Sequence, residues 1–438
     1  MTIFGNKSAQ ITAIRGDNIF CTFALSKKTP SRRVLKNGCE PLAISRWPIV
    51  NCKIMTQFDS LPSPCFIQSE AALEANLQLL NMVQQEANVS IICALKGYSF
   101  WHSFPLVKQY LAGATASSLH EARLISEEMC CDAHTYAPVY LEHEFPQLLI
   151  YSSHLTFNSL SQWDKYKEVA LNSPKKVSFG LRVNPEYSEI ETDLYNPALP
   201  GSRLGILAED LPETLPEGIE GLHFHVLCEN DSYALEHCLE AFEKRFSNHI
   251  RQCKWVNFGG GHHITRADYN IPHLIQLLKD FRSRYPNLED VILEPGEAVG
   301  WQTGVLTSTV EDIVVNKGIK IAMLNVSFAC HMPDCLEMPY KPTVLGAHEP
   351  TPDDKFVYRL GGCSCLAGDY IGMGDFAFDE PLEVGDRIVF DDMIHYTMVK
   401  TTFFNGVAHP SIGMIHLNGE FELLAEPGDY ASYKAKLG

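Results

Sequence analysis

The sequence predicts an α/β protein: a closed (β/α)8 TIM-type barrel followed by an antiparallel β-barrel or sandwich domain. Three observations predict it. Between Val89 and Pro295, short β-rich runs alternate with longer amphipathic stretches. Such alternation implies parallel strands joined by right-handed crossovers. There are eight of these runs, which suits a barrel closed on itself better than a doubly wound open sheet. After about Trp301 the texture changes to strands without long helices between them, often broken by Gly, Pro and Asp, as antiparallel sheets are.

Taken in order, the expected barrel strands are Val89–Lys96, Ala112–Ser117, Ala133–Pro138, Leu155–Asn158, Lys176–Asn184, Ile219–Val226, Lys254–Gly260 and Asp290–Pro295. Each is rich in β-branched or apolar residues and ends in Gly, Asn, Ser, Pro or a polar residue. The helices expected between them include Ser118–Met129, Leu160–Leu171, Asp231–Asn248 and Ile271–Tyr285. In the last of these, Ile271, Leu274, Ile275, Leu278 and Phe281 keep the spacing of one helical face. The later strands are Val305–Val315, Lys320–Val326, Lys355–Leu360, Arg387–Phe390 and Glu420–Leu424. The barrel is therefore assigned to residues 66–302, and the β domain to 55–65 with 303–438.

The first 54 residues stand apart. They carry nine Lys or Arg and two acids, a net +7 that leaves −25 on residues 55–438. No helical or strand period runs through them. They read as a flexible extension, a basic, acid-poor targeting peptide, or sequence upstream of a true start at Met55, the last being favoured, and are set outside the fold. The chain as a whole has a net charge of −18. That argues against a nucleic-acid partner and suits a protein with cationic ligands. The 14 cysteines are scattered without Cys-x-x-Cys spacing, and neither a secretory signal nor a membrane-length apolar run is read. A soluble, cytoplasmic protein is the expectation.

Barrel enzymes carry their chemistry at the C-terminal ends of the strands. Those ends bring Lys96, Ser117-Ser118, Asn158, Arg182-Val183-Asn184, His223-Phe224-His225, Gly259-Gly260-Gly261 and Glu294-Pro295-Gly296-Glu297 to one rim. A lysine at the mouth of a buried strand loses hydration and lowers its pKa, which suits capture of an aldehyde. Alone, Lys96 reads more readily as a side chain snorkelling to solvent. Consecutive glycines after a strand can aim backbone N–H groups at a phosphate, or simply make a tight loop. Together, lysine and glycines favour a phosphate-bearing aldehyde. The competing signal is His223 with His225. Two apart on a strand, they face one side and can bind metal, as in a barrel metallohydrolase. No Asp or third His ends the last strand, where Glu294 stands instead.

These pieces resemble the fold-type III pyridoxal-phosphate decarboxylases, the alanine-racemase-like family of ornithine and diaminopimelate decarboxylases, and within it the carboxynorspermidine/carboxyspermidine branch. The resemblance rests on Ala94-Leu95-Lys96, Leu181–Pro185, Ser202-Arg203-Leu204-Gly205, Phe224-His225 followed by Cys228-Glu229-Asn230, Gly259–Gly261, and Leu293–Glu297. It continues through Cys363-Ser364-Cys365-Leu366-Ala367-Gly368-Asp369, Tyr396–Lys400 and Phe404-Asn405-Gly406. They run in family order from about Pro64 to Tyr430.

The resemblance implies a pyridoxal 5'-phosphate enzyme in which Lys96 tethers the cofactor and His225 stacks on its ring. Arg182 would approach the phenolic oxygen, Gly259, Gly260, Gly261 and Tyr396 would hold the phosphate, and Glu294 would pair with the pyridine nitrogen. A carboxylate there keeps the nitrogen protonated and the ring a strong electron sink. Alanine racemases carry an arginine at that place, so Glu294 argues for decarboxylation. Cys365 would come from the partner of a homodimer with shared sites and protonate the product carbanion. One departure stands out. The acid that follows this cysteine in ornithine and diaminopimelate decarboxylases is Leu366 here. The far end of a cationic carboxylated triamine must then meet other acids, and Glu297, Asp334 and Asp369 are the candidates. No metal is implied. A decarboxylase of diaminopimelate, ornithine or arginine is the alternative within the fold.

Overall fold

The computed structural model describes residues 58–438. The expectation for the first 54 residues lies outside the described part. The chain begins in the β domain: β1 (Cys65–Ser69) pairs antiparallel with β10 (Gly304–Asn316) and parallel with β16 (Ser411–Ile415). The boundary drawn at residue 66 thus falls inside the first strand of the β sheet. Ser69 ends that strand and caps the helix Glu70–Ala87, its Oγ accepting the N–H of Ala72 at 3.3 Å.

Eight parallel strands then close on themselves: β2 (Ser90–Ala94), β3 (Gly113–Ala116), β4 (Ala133–Tyr136), β5 (Ser152–Phe157), β6 (Ser178–Arg182), β7 (Ile219–His223), β8 (Trp255–Asn257) and β9 (Asp290–Leu293). The barrel expectation holds, with β9 returning to β2 through Ser90↔Ile292 and Ile91↔Leu293. Strand-to-helix turns are fixed by local side chains. Ser159 Oγ accepts the N–H of Gln162 at 3.1 Å, and Gln162 Oε1 accepts the N–H of Asn158 at 2.7 Å. Ser118 and Glu121 repeat the arrangement. This reciprocal capping satisfies donors that the first helical turn leaves open.

One large side chain fills the barrel interior. Trp255 lies with Ile92 and Ile292 inside the strands, and its indole N–H donates to Ser178 Oγ at 2.8 Å. Neighbouring strands make room with glycine. A Cβ at Gly180 would come within 2.3 Å of the indole, and one at Gly221 within 2.1 Å. His154 packs edge-on against the same ring at 5.3 Å, and burial pulls its pKa down to about 4, so it is neutral filler.

The β domain has the expected strands without long helices between them, but its pairing is mixed where antiparallel pairing was expected. β11 (Ile319–Leu324) pairs antiparallel with β10 and parallel with β13 (Phe356–Gly361). β12 (Ala347–His348) and β14 (Phe376–Phe378) extend that edge. β15 (Arg387–Asp391) lies against β10, and β16 pairs with β17 (Phe421–Ala425). The parallel β1–β16 contact arises because β1 enters from before the barrel and runs alongside β16 from near the other end of the described chain. Among the described residues no helix is long and apolar enough to cross a membrane.

Gly221→Ala is expected to lower stability by about 1–3 kcal/mol, the usual cost of overpacking a filled core. Urea unfolding monitored by circular dichroism measures it, and Trp255→Phe in the same chain should return part of the loss.

Candidate active site

The C-terminal ends of the barrel strands open into a cavity of about 300 Å³. Lys96, just beyond β2, reaches into it. Two glycines bring the ends of β2 and β9 together. A Cβ on Gly97 would sit 2.9 Å from the backbone nitrogen of Glu297, and one on Gly296 would sit 2.7 Å from the carbonyl of Ala94. Lysine and glutamate ends of the barrel therefore share one wall.

Lys96 Nζ lies 3.4 Å from His225 Nε2. On the far side of that ring, the N–H of Gly260 donates to Nδ1 at 2.9 Å. Nδ1 is thereby an acceptor, which places the imidazole proton on Nε2, facing the lysine. The side chain of Lys96 is open to the cavity, yet protein crowds its amine. Burial and then the Arg182 guanidinium pull its pKa below the ordinary lysine value. Burial, followed by Lys96 and Arg182, holds His225 well below the usual imidazole range. An amine that sheds its proton easily is a nucleophile.

Arg182, buried at the end of β6, donates to the carbonyl of His225 at 3.0 Å and lies over the Tyr136 ring at 4.8 Å. Glu294 is buried at the end of β9. Asn257 Nδ2 donates to its Oε1 at 2.6 Å, while Asn257 Oδ1 accepts the N–H of Gly259 at 2.8 Å. Burial raises the Glu294 pKa, and the Asn257 hydrogen bond opposes the rise.

Two N–H groups of the glycine run are engaged within the protein: Gly259 gives its own to Asn257 and Gly260 to His225. What glycine supplies is approach. A Cβ at Gly260 would stand 2.5 Å from the Glu294 carbonyl, and one at Gly261 would stand 2.1 Å from that of Leu227. Gly260 and Gly261 still line the cavity, as does Tyr396, whose pKa burial and then Glu297 push upward, so its hydroxyl remains a donor.

Glu297 and Asp334 both line the cavity. Asp334 is held by Lys400 Nζ at 2.6 Å, and Lys400 also reaches Glu337 at 2.8 Å. Burial pushes the Glu297 pKa up to about 7, against the pull of His395. Two residues of the expected set fall elsewhere. Asp369 is not a lining residue; it is buried, and its two oxygens accept the N–H groups of Ala329 at 3.0 Å and Ser364 at 2.9 Å. Its place as a substrate ligand is corrected to that of a loop clamp. Cys365, on the clamped loop, is exposed and does not line the cavity of its own chain. Sequence reasoning missed Asn257, Glu229, Lys400 and His395. Asn257 stands two residues before the glycines, and Glu229 lies within Cys228-Glu229-Asn230, so both had a positional signal. Lys400 closes the Tyr396–Lys400 run and had one too, whereas His395 had none beyond its nearness to Tyr396.

His223, His225 and Glu294 also group, with ligand atoms within 4.8 Å of one another. A cation among them would share its surroundings with Lys96 and Arg182. An anionic, aldehyde-bearing pyridine fits the donor set better: a nucleophilic amine, an arginine, a phenol and a buried carboxylate.

The chain belongs to the pyridoxal-dependent decarboxylases. Residues 49–394 match the family described as pyridoxal-dependent decarboxylase, C-terminal sheet domain. It is 50% identical over 389 residues to carboxyaminopropylagmatine decarboxylase of Synechocystis, a match covering 89% of this chain and 99% of that protein. It is 42% identical over 379 residues to the carboxynorspermidine/carboxyspermidine decarboxylase of Campylobacter jejuni, covering 84% of this chain and 97% of that one. The crystal structure of carboxynorspermidine decarboxylase from Campylobacter jejuni, complexed with norspermidine, superposes with a TM-score of 0.78 at 41% identity, covering 86% of this chain and 100% of the other. This membership sets aside the metallohydrolase reading.

Asp369→Ala strands two backbone donors and is expected to cost about 1–3 kcal/mol. Denaturant titration measures the loss, and limited proteolysis should cut at the 363–368 loop sooner than in the parent.

Proposed function

We propose that this enzyme uses pyridoxal 5'-phosphate to decarboxylate carboxynorspermidine and carboxyspermidine, releasing norspermidine or spermidine and CO2. The observation that carries the reading is one cavity lined both by Lys96, Arg182 and Glu294 and by the acids Glu229, Glu297 and Asp334. The first set suits the cofactor. The second suits a polycation. The relative that binds norspermidine supports the same substrate class.

When bound, pyridoxal phosphate supplies an electron sink for the pair left on the carbon that loses CO2. Lys96, with its lowered pKa, is the amine that would hold the cofactor's aldehyde. His225 steadies Lys96 from Nε2 and is itself seated by Gly260. Glu294, oriented by Asn257, is the carboxylate for the protonated pyridine nitrogen. Arg182 and the Tyr396 hydroxyl are the donors for the cofactor's oxygens. Glu297 and Asp334 receive the cationic arm.

The site is shared between two copies of the chain, with Cys365 of one delivering a proton in the other. Support comes from the loop itself. Cys365 is exposed beside exposed Leu366, and its N–H donates to Asn405, next to exposed Phe404, apolar surface that a second copy would cover.

A second reading has its own observation, the 50% identity to carboxyaminopropylagmatine decarboxylase. Both substrates carry a carboxyaminopropyl head on a cationic tail; they differ in whether the tail ends in an amine or a guanidinium.

Steady-state CO2 release on the two carboxylated triamines, carboxyaminopropylagmatine and diaminopimelate decides between them. The expected kcat/KM on the triamines exceeds that on diaminopimelate by at least about tenfold, as site-built hydrogen bonding allows. A clear preference for the guanidino substrate would move the assignment to the second reading. Lys96→Ala should lose the visible absorbance of tethered cofactor and about 10²–10⁴-fold of turnover, the scale of a lost reacting group. Co-expressed Lys96→Ala and Cys365→Ala chains should show turnover that neither has alone, because a mixed dimer keeps one intact site. Inactive mixtures would argue against sharing.

A further inference from the structure

His395 lies behind the cavity wall, between the carboxylates of Asp392 and Glu297. It is buried. Its Nε2 lies 3.3 Å from Asp392 Oδ2 and its Nδ1 lies 3.8 Å from Glu297 Oε1. Asp392 is itself fixed. Its Oδ1 accepts the N–H of Gln302 at 2.5 Å, and its backbone holds a left-handed φ of 61°, a conformation that aspartate tolerates and most side chains resist. Trp301 flanks the imidazole at 6.3 Å, and His263 packs edge-on against the same indole at 4.2 Å.

The surrounding charges identify what the ring carries. Burial pulls its pKa down, but Asp392, Glu297 and Asp334 outweigh burial and bring it up to about 9. Glu229 faces the same group, since its own pKa responds to both His395 and Asp334. His263 is the nearby neutral imidazole, lowered to about 4 by burial and then Arg266. His395 is therefore a buried imidazolium between two carboxylates. One of these, Asp392, is held by backbone. The other, Glu297, lines the cavity.

We infer that His395, anchored by Asp392, is a positioning residue that presents the Glu297 carboxylate to a protonated nitrogen of the substrate. One carboxylate oxygen of Glu297 is turned to His395, and the second is left for the ligand. An unpaired buried carboxylate would tend to take up a proton and lose its attraction for a cation. The imidazolium opposes that uptake and draws one carboxylate oxygen to its side before substrate arrives. This rests on the cationic substrate proposed above.

The test is a double-mutant cycle on the cofactor-loaded dimer with carboxynorspermidine and carboxyspermidine. His395→Gln and Glu297→Gln should each raise KM about tenfold, the scale of a charge-assisted hydrogen bond, with kcat changed less than about twofold. The double variant should be no worse than Glu297→Gln alone. Cofactor affinity, read by absorbance titration, should not move in His395→Gln, although Tyr396 is its neighbour. If His395→Gln does not fold, Asp392→Asn completes the cycle with the same expectation. Additive KM effects, or a loss in kcat with KM unchanged, would overturn the inference and leave the substrate reading standing. Absence of triamine turnover in the parent enzyme would overturn both.

Discussion

The 3.4 Å approach of Lys96 Nζ to His225 Nε2 constrains everything around it. Two cationic groups could not sit so close in a crowded pocket beside Arg182 without large repulsion. The arrangement is stable because both are driven toward their neutral forms. Gly260 assists by donating to Nδ1, which turns the Nε2 proton toward the amine. The glycine has to be there for a steric reason, because any side chain would strike the Glu294 carbonyl. Backbone packing, tautomer and nucleophile are thus set by one close approach of two strands.

A second layer of charge surrounds this pair. Glu294 is buried but steadied by Asn257, whose other amide atom holds Gly259. Farther out, Asp334 is bridged by Lys400, and Glu297 faces His395. The cavity wall therefore holds more carboxylates than counter-charges. Such a wall attracts a polyamine and repels an anionic substrate tail. Specificity of this kind comes from what the wall refuses as well as what it holds.

Much of the barrel was legible from sequence, because each strand carries its own local signal: an apolar run, a polar end and a helix with one apolar face. Lys96, Arg182, His225 and Glu294 were legible as strand-end residues for the same reason. The β domain was harder. Ser411–Ile415 was not foreseen, since Gly413 interrupts its pattern; the glycine is required by the Phe421 ring, which would lie 2.3 Å from a Cβ there. The pairing of Cys65–Ser69 leaves no local trace, because its partner lies nearly the whole described chain away. The glycine run was read as a set of free donors, and only the fold shows that Asn257 and His225 use two of them. Asp369 carried the right chemistry for a ligand. Whether an acid meets solvent, substrate or backbone depends on tertiary neighbours that spacing does not encode. His395 was invisible for that reason too.

The placement of β1 has a consequence for biogenesis. Its register with β16 joins Cys65 to Ser411, so the barrel is an insertion between two halves of one sheet. During synthesis the barrel can close as soon as Leu293 has emerged, but β1 must wait, one edge unpaired, until β16 follows. Contacts of such long sequence separation form late, and an unpaired edge invites association with other chains meanwhile. Tyr396 and Asp334 belong to the late-arriving part. A nascent chain would thus own a finished barrel and an unfinished pocket, and acquire its chemistry only as the sheet zips shut.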